Sequence, residues 1–283
     1  MTDRFIAGAG GYLPLLRLDR SSASKALRFS GLGGRRDGYR AVAGWDEDAL
    51  TMAVEAARRL VGDAPPSRLV FASTSAYYLD RPQSALVIDA LALPRATRSL
   101  DVASSRRAAT SALMDALEGS GDTIVASAEK RDTQAGSPQQ LSYGDGAAAV
   151  RIGDTGIARY LGGASQTHDF VDLYVSRDQT TPYAYEERFI RDVATADIIV
   201  PTIRQALASA GIEAGQVAFA AVAEPLAGMY GAIAKAIGLT APNLATDLAT
   251  NAGDLGAAHA LYAFGLALHA AAPGEILLLC GFG

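Results

Sequence analysis

The chain repeats itself. Phe71 in RLVFAS matches Phe219 in QVAFAA, 148 positions on; Asp101 after SL matches Asp247 after AT, 146 on; Thr123 of TIVAS matches Glu275 of EILLL, 152 on. A near-constant offset across separate segments marks an internal duplication, which confines the fold to two copies of one supersecondary unit. Short apolar runs alternate with helix-period segments in both copies. Strands are expected at 5–14, 68–73, 99–102, 123–127 and 147–152, with helices at 45–61, 84–91 and 105–119. The second copy offers strands at 157–161, 217–221, 243–246 and 275–280, and helices at 194–210, 227–237 and 253–271. Such alternation implies βαβ units and mostly parallel sheets covered on both faces. The reading is an α/β chain of two duplicated βαβαβ halves, 1–153 and 154–283.

The stretch DVASSRRAATSALMDALEG, Asp101–Gly119, is the centre of the first half. It reads as a strand end, a tight turn of small residues and an Ala-rich helix packed on several sides. The N-terminus of that helix presents unpaired N–H groups and a partial positive charge, a setting that suits a nucleophile and an oxyanion. Yet the turn holds Ser104, Ser105, Arg106 and Arg107 and no cysteine. The single Cys, Cys280, ends an apolar strand and reads as a core residue; with no second Cys there is no internal disulfide, and a cytoplasmic location is expected. The basic, Gly-rich loop 31–40 carries Arg35 and Arg36, and the irregular stretch 167–185 carries His168, Asp169, Asp172 and several tyrosines. No metal-ligand spacing is present. A net charge of −5 without long runs argues against nucleic acid. The most apolar run, Leu255–Ala272, contains His259 and His269 and reads as a buried helix, not a membrane span.

Five segments together resemble the thiolase superfamily, in particular ketoacyl synthase III and hydroxymethylglutaryl-CoA synthase. They are GLGGRRDGYRAVAGWDEDALTMAVEAARRLV, DVASSRRAATSAL, SAEKRD followed by LSYGDGAAAVRI, AVAEPLAGMYGAIAKAIGL, and GDLGAAHALYAFGLAL. The resemblance covers nearly the whole chain and implies a five-layer α-β-α-β-α fold, here with a second half that lacks its closing strand. It also implies where chemistry would sit. The family's nucleophilic Cys falls on Arg106, its His on Ala223, its Asn on Asp254, and the Glu of the hydroxymethylglutaryl-CoA synthases near Thr74. None of the four is kept. An always-protonated guanidinium is no nucleophile, a methyl group moves no proton, and a carboxylate repels an oxyanion.

The resemblance therefore implies a non-catalytic thiolase-fold subunit of an acyl-CoA-handling complex. Its alternative is an enzyme for C–C bonds with rearranged chemistry: aldolase-like, with Tyr77, Tyr78, Tyr143, Tyr183 or Tyr185 as acid or base of lowered pKa, or an acyltransferase. No cofactor is required; a coenzyme A thioester is the expected ligand, with Arg35, Arg36 and Arg106 facing its phosphates or carboxylate. The strand 123–127 is expected to form an edge for a homodimer or heteromer, with a catalytic thiolase-like chain or an OB-fold protein as partner.

Overall fold

The computed structural model describes residues 3–27, 37–103, 105–176, 179 and 182–283. Its elements begin with β1 (Phe5–Tyr12), β2 (Leu16–Asp19), α1 (Arg20–Ala26), β3 (Tyr39–Val42), α2 (Ala49–Arg58), β4 (Arg68–Ala72) and α3 (Gln83–Ala90). They continue with β5 (Arg98–Val102), α4 (Ala108–Glu118), β6 (Thr123–Glu129), α5 (Pro138–Ser142), β7 (Gly146–Gly153), β8 (Ala158–Arg159), β9 (Leu173–Tyr174) and β10 (Tyr183–Ala184). The last are α6 (Glu187–Val193), α7 (Val200–Ala210), β11 (Val217–Val222), α8 (Tyr230–Ile237), α9 (Leu244–Asn251), α10 (His259–Ala270) and β12 (Ile276–Cys280).

The first sheet has the order β5-β4-β6-β7-β1-β8. β4, β5 and β6 run parallel, while β7 is antiparallel to both β6 and β1. The duplicated phenylalanines sit in equivalent parallel pairs, Phe71 opposite Ala126 and Phe219 opposite Leu277, the second pair being one residue out of register with the first. α2 and α3 cover the outer face of the first sheet, α7 and α8 that of β11–β12, and α4 with α10 fill the space between the sheets. This gives the five expected layers. The two central helices are rich in Ala because both sides of each are occupied; Ala109, Ala112, Ala260 and Ala263 are all buried. The apolar run 255–272 is thus core, and among the described residues no helix is long and apolar enough to cross a membrane.

Four local expectations are corrected. Strand 123–127 is not an edge: β6 pairs with β4 on one side and β7 on the other and is buried along its length, so its backbone has nothing left to offer a partner. The end strands of that sheet are β5 and the two-residue β8; among the described residues nothing pairs with the outer side of β5, whose Leu100 is 44% exposed. The expected strand 243–246 is a single bridge to Ala220 followed by α9. Asn243 replaces the strand with its side chain. Its Oδ1 accepts from Val222 N–H at 2.9 Å, and its Nδ2 donates to Val222 O at 3.0 Å. One amide side chain thereby satisfies the edge of β11 and caps α9. The first long helix starts at Ala49, not Trp45, because Asp48 makes a capping box with Thr51. Pro201 does not kink a plain helix: a π-helical segment, Ala194–Ile199, precedes it and links α6 to α7, widening the coil where Pro has no N–H to donate.

Candidate functional site

Three chain segments converge where the turn before α4 meets the loop before α10. The first is the turn itself. Arg106 forms an ion pair with Asp172, a residue of the irregular stretch 167–185, and both side chains are largely buried. Arg107 reaches the residue just before that stretch, donating from Nη1 to Gln166 O at 2.6 Å. Ser105 is held inward as well, its Oγ accepting from Arg107 N–H at 3.0 Å.

The second segment is Asp254 with its partners. Gly144 N–H donates to Asp254 O at 2.9 Å, and Asp254 N–H to Ser142 O at 2.8 Å, so the GDGA turn and the GDLGAAH loop are stitched backbone to backbone. Gly144 and Gly253 permit this. A Cβ on Gly144 would stand 2.0 Å from Ala252 O, and Gly253 has φ +91°, which disfavours any side chain. The Asp254 carboxylate accepts from Gly256 N–H at 2.9 Å and lies 3.4 Å from the Arg131 guanidinium. Arg131 also donates to the Asp254 carbonyl and sits 3.7 Å from the centre of the Tyr143 ring. Burial by itself would push the Asp254 carboxyl up. Arg131 first, and Arg106 more weakly, hold it well below the usual carboxylate range.

The third segment ends β6. Glu129 has no exposed surface. Its carboxylate accepts from Thr74 N–H at 2.8 Å, Thr74 Oγ1 at 3.0 Å, Ser75 Oγ at 2.6 Å and Ala257 N–H at 3.3 Å. Burial pushes this carboxyl up, against Arg131 and these donors. His259 lies behind the site as a neutral, fully bonded ring. Its Nδ1 accepts from Leu255 N–H at 3.1 Å, which leaves Nε2 as donor to Ala245 O at 2.9 Å, and burial lowers its pKa.

Of the positions singled out in the sequence, Thr74 lies against Glu129, while Arg106 and Asp254 lie near enough to influence one another electrostatically. Ala223 continues the backbone of β11, donating its N–H to Cys280 O at 2.9 Å; its neighbour Glu224 caps α8 through Met229 and Tyr230 N–H. Arg35, Arg36 and Ser104 lie outside the described residues. The remaining arginine expected to face a ligand, Arg106, is engaged by Asp172. His168 and Asp169 are exposed and apart from the network. The tyrosine expectation is reversed: Tyr143 is buried here, and desolvation raises its pKa despite Arg131 and Arg106. Tyr77, Tyr78, Tyr183 and Tyr185 are all exposed. Cys280 is only partly buried, packed against the β11–β12 core, and burial pushes its thiol up to about 12. Among the described residues no cluster of His, Cys, Asp or Glu could hold a metal ion.

Sequence reasoning missed Glu129 and Arg131. The signal was present: in TIVASAEKRD a run of small apolar residues ends in charges while still within strand length, and a carboxylate buried there needs a cation close by. Asp172 had no such signal, because only the path of the irregular stretch brings it to α4.

No family model matches the chain. It is 30% identical to the hydroxymethylglutaryl-CoA synthase of Pyrobaculum neutrophilum over 86% of this chain and 73% of that protein. It is 28% identical to the hydroxymethylglutaryl-CoA synthase of Aeropyrum pernix, over 98% and 81%. Among solved structures, 3-oxoacyl-(acyl carrier protein) synthase III from Pseudomonas aeruginosa superposes with a TM-score of 0.78 at 18% identity, covering 98% of this chain and 93% of that one. A hydroxymethylglutaryl-CoA synthase complexed with CoA superposes at 0.79 with 16% identity, covering 98% and 78%. The structural likenesses establish the thiolase-type fold.

Proposed function

Because the chain belongs to the hydroxymethylglutaryl-CoA synthase family of thiolase-fold proteins, we propose that it works without acyl-transfer chemistry of its own, as a subunit of an assembly that handles acyl-CoA. The observation that carries this reading is the Arg106–Asp172 ion pair at the head of α4. Acyl transfer through a covalent intermediate needs a nucleophile, a base and donors aimed at the oxyanion. Position 106 supplies a paired guanidinium, position 223 a methyl group and position 254 a carboxylate tied to Arg131. The charges neutralise one another within the protein, so the residues at the centre are occupied in holding it together.

Association completes the proposal. Among the described residues no strand pairs with the outer side of β5, which exposes Leu100, so it can pair across a two-fold axis with a second copy or with a thiolase-like partner. An OB-fold protein and a coenzyme A thioester remain the proposed further partner and ligand. The test is chemical. After incubation with acetyl-CoA or acetoacetyl-CoA, intact mass spectrometry is expected to find no acyl adduct, on the wild type or at Ser105 or Cys280. Arg106→Cys by itself should give no turnover, since base and oxyanion donor are also missing. A stable adduct on the wild-type chain would overturn the reading.

A further inference from the structure

Trp45 is the only tryptophan of the chain, and its side chain is fully exposed. Tryptophan is large, mostly apolar and highly buried on average, so a bare one marks a contact surface. Its neighbours in space are apolar too. β2 and β3 form a separate two-stranded ribbon with Leu16 opposite Val42. Leu15 therefore enters the ribbon at the end where Ala43, Gly44 and Trp45 leave it. Leu15 is 94% exposed and Leu16 more than half exposed.

The backbone that carries these side chains is tied down. Ala41 N–H donates to Ala252 O at 2.7 Å, Ala43 N–H to Asp145 Oδ2 at 2.8 Å and Gly44 N–H to Glu47 Oε2 at 2.6 Å. Docking here needs little further ordering of the chain. More apolar surface lies at the same end of the first sheet. β1 and β4 both run parallel to β6, so the segments after them leave the sheet together, and the loop after β4 exposes Tyr77 and Leu79. An aromatic side chain buries about 150–250 Å². Trp45 and Tyr77 with three leucines thus reach the roughly 500 Å² per partner that a stable interface needs.

The charges indicate what covers this surface. Along the ribbon the order is Arg17, opposite Ala41, then Leu16 and Leu15, then Trp45 and Asp46. A cation closes one end of the apolar row and a carboxylate the other. Both are exposed, and Arg17 donates to its own backbone at Pro14 O and Leu16 O. A row with opposite charges at its ends is complementary to itself under a two-fold rotation: Arg17 meets the partner's Asp46 twice, with Trp45 between them. An anionic membrane would instead meet the carboxylates of Asp46, Glu47 and Asp48 beside the tryptophan.

We propose that the Leu15–Leu16–Trp45 row is an isologous docking surface for a second copy of this chain. It is distinct from the β5 edge and holds whether or not the chain is catalytic.

With a single tryptophan, fluorescence reads this face alone. Raising the wild-type chain from micromolar to hundred-micromolar concentration should double the sedimenting mass, move Trp45 emission to shorter wavelength and cut its quenching by acrylamide at least threefold. Arg17→Asp and Asp46→Arg should each weaken this association at least tenfold without lowering the unfolding temperature. Mixed in equal amounts, the two variants should associate as the wild type does, because each supplies the charge the other lacks. Leu100→Lys, which acts at β5, should leave the change in quenching in place. Quenching that stays constant over the whole range would overturn the proposal, even if the mass doubles through β5. So would a mixture that associates no better than either variant alone, or a Trp45 that is protected by lipid vesicles while the wild-type chain stays monomeric. An acyl adduct in the mass test would overturn the functional reading and leave this surface untouched.

Discussion

Replacing Arg131 with Met removes the cation that two buried-site carboxylates share while keeping most of the hydrophobic stem. The side chain is 10% exposed and contacts the Asp254 carboxylate, the Asp254 carbonyl and the Tyr143 ring. Breaking a buried ion pair from one side costs about 3–5 kcal/mol, because the remaining charge stays desolvated. Asp254 keeps 39% of its side chain in water, and Glu129, which has none, is reached by Arg131 as a nearby charge and not through an ion pair. This places the loss near the lower end, about 3 kcal/mol. At about 2–4 °C per kcal/mol for a large domain, the unfolding temperature should fall by roughly 6–12 °C near neutral pH. The loss also depends on pH. The folded-state pKa of Glu129 is raised, so its contribution is full below the unfolded carboxyl pKa and is lost as pH rises through the folded value. Without Arg131 that folded value rises further. Asp254 is depressed, so its contribution is present above the unfolded pKa and is lost as pH falls through the folded one. Both signs make the gap between wild type and Arg131→Met widest near pH 8 and narrowest near pH 4. Thermal unfolding by circular dichroism across that range reads it directly, and adding Glu129→Gln to Arg131→Met should recover part of the loss at pH 8. An unchanged unfolding temperature, or a loss equal at all pH values, would refute this account of the charges.

Cys280 should react with a thiol reagent at pH 8 far more slowly in the folded chain than after unfolding in guanidinium, because burial holds its pKa up to about 12; equal rates would place the thiol at the surface. Asn243→Ala should destabilise by about 1–3 kcal/mol, measured by urea titration, because it leaves Val222 N–H and C=O unpaired inside the fold. Leu100→Lys should weaken association in sedimentation velocity at micromolar concentration, whereas any effect of Ile124→Lys should come through unfolding, since β6 is internal; dissociation by Ile124→Lys with an intact fold would restore β6 as an interface.

The duplication, the alternating strands and helices and the burial of the Ala-rich helices could all be read from the chain. Each depends on local periodicity and on volume, and both are written in neighbouring residues. That positions 106, 223, 254 and 74 hold Arg, Ala, Asp and Thr was equally legible, and their reading as replaced catalytic residues rests on the family resemblance. Strand order was not. β6 and β5 are both short runs between helices, and only long-range pairing makes β6 interior and β5 an edge. Nor could the sequence show that Asn243 would replace a strand with one amide side chain, since that depends on the spacing between Pro242 and β11. The site itself was decided last. Arg106 and Asp172 lie 66 residues apart, and Arg131 and Asp254 123 apart. Charges at such separations meet only when the two halves pack, and burial then turns ordinary surface residue types into a closed electrostatic network.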